Sequence, residues 1–114
     1  MTLQLPPIIM TYFQAANTFD NHLLFTCFTE DALLYDEKKI FYGPSEIEKH
    51  MIEASNKLAV QAKILHFVEH DEQIIVTATI TGNFAGSPLN LDYHFSLEQE
   101  KISKLTIVPS TSEE

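Results

Sequence analysis

Apolar residues at Leu5, Ile8, Ile9, Tyr12, Phe13 and Ala16 recur at i, i+3, i+4, i+7, i+8 and i+11, one broad face of a helix. Pro6-Pro7 suits its first turn, where a missing N–H costs nothing, and Asn17-Thr18 ends it. Asp20 is placed to cap a second, short helix that buries Leu23, Leu24, Cys27 and Phe28. Ala32 to Asp36 then reads as a strand, and Ile40-Phe41-Tyr42 as its hairpin partner across Glu37-Lys38-Lys39. Gly43-Pro44-Ser45 breaks this pattern and starts a third helix. There Ser45-Glu46-Ile47-Glu48 fits a capping box, and Ile47, Met51, Ala54 and Leu58 form the buried stripe. Glu46/His50 and Glu53/Lys57 are i, i+4 pairs on its exposed side.

From Ala59 the period changes to two. Val60, Ala62, Ile64, His66 and Val68 alternate with Gln61, Lys63, Leu65, Phe67 and Glu69. Ile74, Val76, Ala78 and Ile80 share one face of the next strand, and Ile75, Thr77, Thr79 and Thr81 the other. Leu89, Leu91, Tyr93, Phe95 and Leu97 make a clean apolar face opposite Asn90, Asp92, His94, Ser96 and Glu98. A last strand carries Ile102, Leu105 and Ile107. Three helices first and long antiparallel strands afterwards is an α+β pattern. One sheet curls over the helices and leaves its Thr-rich face outside.

Composition narrows the partners. The 114 residues form one domain over 1–108 with a polar tail over 109–114. Sixteen acidic residues against seven basic ones, none of them Arg, give a net charge of −9. Phosphate backbones and anionic membrane surfaces need clustered cations, so nucleic acid and membrane are excluded as expected partners. Cys27 is the single cysteine and lies on an apolar face, where it reads as a buried small hydrophobe. The start MTLQLPPIIM has no basic region before its apolar residues, and no apolar run reaches the ~18 residues of a membrane span. A cytoplasmic location is the expectation. His66 and His70 lie four apart on a strand, roughly 13 Å, too far to share one ion, so no metal and no cofactor is expected.

With the elements in this order, the chain resembles the nuclear transport factor 2-like superfamily, in its SnoaL-like branch. Tyr12-Phe13-Gln14-Ala15-Ala16-Asn17, Cys27-Phe28-Thr29-Glu30-Asp31-Ala32 and Tyr42-Gly43 carry the likeness, with Gly82 to Leu89 and Lys101 to Leu105 later on. The resemblance implies a cone-shaped α+β fold in which three N-terminal helices pack on a curved, mainly antiparallel sheet. It implies a pocket between helices and sheet, and a homodimer through the outer sheet face. Members include ketosteroid isomerase, cyclases, dehydratases and non-catalytic binding proteins, so membership alone names no reaction.

The first half resembles ketosteroid isomerase without a gap. That resemblance puts Tyr12 at its oxyanion-hole tyrosine and Asp36 at its general-base aspartate, and Tyr93 replaces its protonated aspartate. It implies a catalytic set of Asp36, Tyr12 and Tyr93; Phe13, Leu34, Met51, His66 and Phe95, on the apolar stripes and strand parities, are the expected pocket lining. An enolate formed next to a carbonyl needs donors where its charge develops, which two phenols supply, and Asp36 moves the proton. The plainer readings stay open: Tyr12 and Tyr93 as core aromatics, Asp36 as a solvated turn residue, His66 as a core histidine. Asp92 has the wrong strand parity for a cyclase carboxylate. The expected function is binding of a small apolar carbonyl compound, with cofactor-independent isomerase, cyclase or dehydratase chemistry on it. The alternative is a non-catalytic binding or dimeric interaction module of the same fold.

Overall fold

Pro7 opens α1 (Pro7–Thr18), and Phe19, in the left-handed region at φ 58, closes it. Asp20 Oδ1 accepts the Leu23 N–H at 3.1 Å and so caps α2 (Asn21–Thr26) as its sequence position predicts. Cys27 and Phe28 follow that short helix rather than belonging to it, and both are buried. Phe28 starts β1 (Phe28–Asp36), longer than the predicted strand by its first four residues. The turn Glu37-Lys38, with both residues at positive φ, leads into β2 (Lys39–Tyr42). In this computed structural model residues 5–110 are described, apart from the side chains of 55–58. Leu58, the Glu53/Lys57 pair and the tail from 111 on therefore lie outside the described residues.

Gly43 takes φ +83 and turns the chain directly from β2 into α3 (Gly43–Leu58). The expected Ser45/Glu48 box is not what caps this helix. Glu46 Oε1 instead accepts the Tyr42 N–H at 2.8 Å, so one acidic residue ties the helix start to the strand before it. Four long strands follow: β3 (Gln61–His70), β4 (Gln73–Thr81), β5 (Leu89–Glu98) and β6 (Lys101–Pro109). The six strands form one sheet in the order β2-β1-β6-β5-β4-β3. All neighbours are antiparallel except β1 and β6, so the sheet is mixed and the hairpin joins the long meander side by side. Among the described residues no helix is long and apolar enough to cross a membrane.

The alternation predicted for β4, β5 and β6 is kept at Ile74, Val76, Ala78, Ile80, Tyr93, Phe95, Ile102, Leu105 and Ile107, all buried, whereas Leu91 and Leu97 are half-buried and Leu89, at the start of β5, is exposed. In β3 it is not kept. Ile64 pairs with Ala78 but His66 pairs with Thr77, leaving Leu65 as the extra residue of a bulge. An extra residue flips the faces beyond it. His66 and Val68 therefore point outward and are exposed, and Phe67, opposite Val76, packs against the core instead. Asn17 does more than end α1: its Nδ2 donates to Ala62 O at 2.9 Å while its Oδ1 accepts from Ala62 N at 2.8 Å. That bidentate clamp fixes the end of α1 on the edge strand β3.

Candidate active site: an aromatic cavity with a carboxylate–imidazole pair

The inner stripe of α1 presents Tyr12 and Phe13 to the inner face of β5, where Tyr93 and Phe95 alternate with outward residues. The α1 rings meet the β5 rings edge-on, with centroids 5.0 Å apart for Phe13 and Tyr93, 5.5 Å for Tyr12 and Phe95, and 6.2 Å for Tyr12 and Tyr93, while Tyr93 and Phe95 lie near-parallel. Beside this cluster the packing opens. Ala15, Ala16, Ala54 and Ala62 come from three different elements, and their short side chains leave unfilled a cavity of about 400 Å³. That volume lies in the range of small-molecule sites. Its other walls include Leu24, Met51, Ile80, Leu91 and Ile107.

Few polar groups face this space. Among the described residues they are the Tyr12 and Tyr93 phenols, the amides of Asn17 and Asn21, and the carboxylates of Asp36 and Glu37, with no cationic side chain. Asp36 reaches it because it is the last residue of β1, level with Lys39 of β2 where the hairpin turns. Its Oδ2 accepts a hydrogen bond from His50 Nε2 at 2.9 Å. His50 stands on α3, and its ring lies flat on Phe41 of β2 at 4.1 Å and 19°. The His50 side chain is 10 % exposed and that of Asp36 21 %, so the pair is largely shielded from water. The hydrogen bond to Asp36 raises the His50 pKa, burial opposes this, and the charges of Asp36, Glu37 and Glu53 add to the rise.

Burial holds the Tyr12 phenol well above its ordinary pKa, with Tyr93, Asp36 and Cys27 adding repulsion. Tyr93 is raised too, by burial first and then by the charge of Asp36. Both rings therefore keep their protons near neutrality and remain donors. Among the described residues neither hydroxyl has a hydrogen-bond partner, so both are free for a bound molecule. Cys27 takes no part in the site. It is buried, and burial pushes its thiol up to about 11, as suits an inert core residue.

Of the residues expected at the pocket, Tyr12, Tyr93, Asp36, Phe13 and Met51 do line the cavity. Leu34 and Phe95 do not: both are fully buried in the core behind it. His66 is carried to the outer face by the β3 bulge and is exposed. His50, expected on the exposed side of its helix beside Glu46, is instead the partner of Asp36. Its spacing signals this, because Ile47, His50, Met51 and Ala54 complete an i, i+3, i+4, i+7 stripe. Asp36, Glu37 and His50 each offer one ligand atom within 4.8 Å of the others. Asp36 and His50 hydrogen-bond one another and Glu37 is exposed, so the structure presents a hydrogen-bonded pair beside a solvated carboxylate.

No family model and no curated protein matches the chain. Among solved structures it is similar to a Sinorhizobium meliloti protein named as a candidate polyketide cyclase. Identity is 30 %, over 91 % of this chain and 95 % of that one, with a TM-score of 0.89. A Catenulispora acidiphila protein with a ketosteroid isomerase-like fold, solved in complex with trimethylamine, matches at 17 % identity and TM-score 0.82, over 96 % and 89 % of the two chains. TerC, co-crystallised with polyporic acid, matches at 12 % identity and TM-score 0.77, over 91 % and 89 %. The last two share the fold alone, but the first is a relative along nearly its whole length, and the chain belongs to the nuclear transport factor 2-like, SnoaL-like superfamily.

Proposed function

We propose that the cavity binds a small apolar molecule carrying a carbonyl and catalyses proton transfer beside it. The observation that carries this reading is the convergence of Asp36, Tyr12 and Tyr93 on one apolar cavity from a hairpin, a helix and a distant strand. In the reaction Asp36 takes a proton from the carbon next to the carbonyl. The C–H electron pair becomes the C=C bond of an enolate and the C=O π pair moves onto oxygen, where the Tyr12 and Tyr93 hydroxyls donate to the developing oxyanion. Asp36 then returns the proton to carbon: at the same carbon this gives exchange, and at the far carbon of a dienolate formed from an unsaturated ketone it gives the isomeric ketone. The chain's own acid–base groups complete this cycle. Structures of the same fold with trimethylamine and with polyporic acid support reading the cavity as a small-molecule site.

The experiment is deuterium exchange from D2O into 2-tetralone, an apolar ketone with acidic protons beside its carbonyl, followed by NMR. Exchange above the buffer background is the expected result. Saturable binding without exchange identifies the non-catalytic binding module instead. We also propose a homodimer through the outer face of β4, where Ile75, Thr77, Thr79 and Thr81 stand and Thr77 Oγ1 donates to Asp92 Oδ1 at 2.7 Å. Light scattering at micromolar concentration should give twice the 13.0 kDa of one chain; a monomer mass refutes the dimer.

A further inference from the structure

We infer that His50 is the positioning residue for Asp36: it holds one carboxylate oxygen so that the other faces the cavity, and its charge governs proton transfer to that carboxylate. The inference rests on the proposed chemistry for the site, and the observations behind it are geometric. Asp36 ends a strand immediately before a two-residue turn at positive φ, a place where a side chain has little packing to fix it. The His50 ring supplies what the turn lacks. It is stacked on Phe41 of β2 on one side and bonded through Nε2 to Asp36 Oδ2 at its edge. The ring thus connects α3, β2 and the end of β1. Its own helix is anchored one turn earlier by the fully buried Ile47. With Oδ2 engaged, Oδ1 is the oxygen left for a bound molecule.

The second half of the inference concerns charge. Groups that face His50 are the carboxylates of Asp36 and Glu37 from the hairpin and of Glu53 from α3, while Phe41 from β2 adds no charge. All three carboxylates favour the imidazolium. While His50 is an imidazolium, a proton moving onto Asp36 takes away the counter-charge of that cation, so the transfer is opposed. As pH rises and His50 loses its proton, that cost disappears and exchange accelerates. The imidazole Nε2–H still donates to Oδ2, so orientation survives the change.

The test compares wild type, H50Q and H50A in 2-tetralone exchange from about pH 5 to 9. Wild type should show a rising limb with its midpoint above the ordinary histidine value. H50Q keeps a donor for Asp36 but cannot titrate in this range. It should stay within a few-fold of the wild-type plateau and lose the limb. H50A, with no donor, should lose on the order of tenfold to 10²-fold at every pH, as expected when a reacting group is misplaced. An H50Q profile that retains the wild-type limb overturns the proposal, as does exchange that EDTA abolishes and Zn²⁺ restores. A second arm needs no ligand: imidazole 15N NMR should place the His50 midpoint higher in wild type than in D36N. Equal midpoints overturn the pairing even if exchange is seen. No exchange in the wild type defeats the reading of the site, and with it the kinetic role of His50, whereas the NMR arm decides the pair by itself.

Discussion

Asp36→Asn is expected to lower 2-tetralone exchange by about 10²- to 10⁴-fold, the usual contribution of a placed general base. Asparagine is nearly the same size, and its carbonyl oxygen accepts from His50 Nε2–H as the carboxylate does. The fold should therefore survive. Losing the charge on one side of this largely shielded pair costs about 1 kcal/mol of stability, which a urea midpoint reads directly. KM should change little, since the carboxylate acts on the departing proton rather than on the apolar body of the ligand. A variant that keeps wild-type exchange assigns Asp36 to the turn and leaves the cavity without a base.

Much of this site was legible because it depends on strand parity. Tyr93 and Phe95 alternate with Asp92 and His94, so their inward direction follows from the apolar pattern of one strand. Parity cannot tell a cavity wall from solid core, because both lie inward. Leu34 and Phe95 were expected at the pocket on that ground, and they pack behind it. The void is made by what is missing at Ala15, Ala16, Ala54 and Ala62, and periodicity, which places them inward, does not show that they face one another across separate elements. His66 fails for a different reason. A bulge at Leu65 reverses the faces of β3 beyond it, and no Gly or Pro at that point announces it. The Asp36–His50 contact joins a hairpin to a helix, so it becomes visible only when those elements are packed. The clamp of Asn17 on Ala62 is hidden in the same way, since its two ends are far apart in the chain.

Tyr12→Phe and Tyr93→Phe should each lower exchange by about 10²- to 10³-fold, the usual cost of removing one donor from an oxyanion site. What separates this from a packing defect is stability. Both rings pack edge-on in the aromatic cluster, and phenylalanine keeps those contacts. Neither hydroxyl has a partner among the described residues, so its removal breaks no hydrogen bond of the fold. It also takes a polar atom away from apolar walls, which costs nothing and tends to stabilise. Thermal midpoints should therefore be unchanged or slightly higher while exchange collapses. The double variant should lose less than the product of the two single losses, because two donors sharing one oxyanion act as a unit. If both single variants exchange as fast as wild type, the phenols are walls of the cavity and the oxyanion must find its donors elsewhere. Strict multiplication of the two losses would instead mean that the hydroxyls serve separate steps, one of them outside enolate formation.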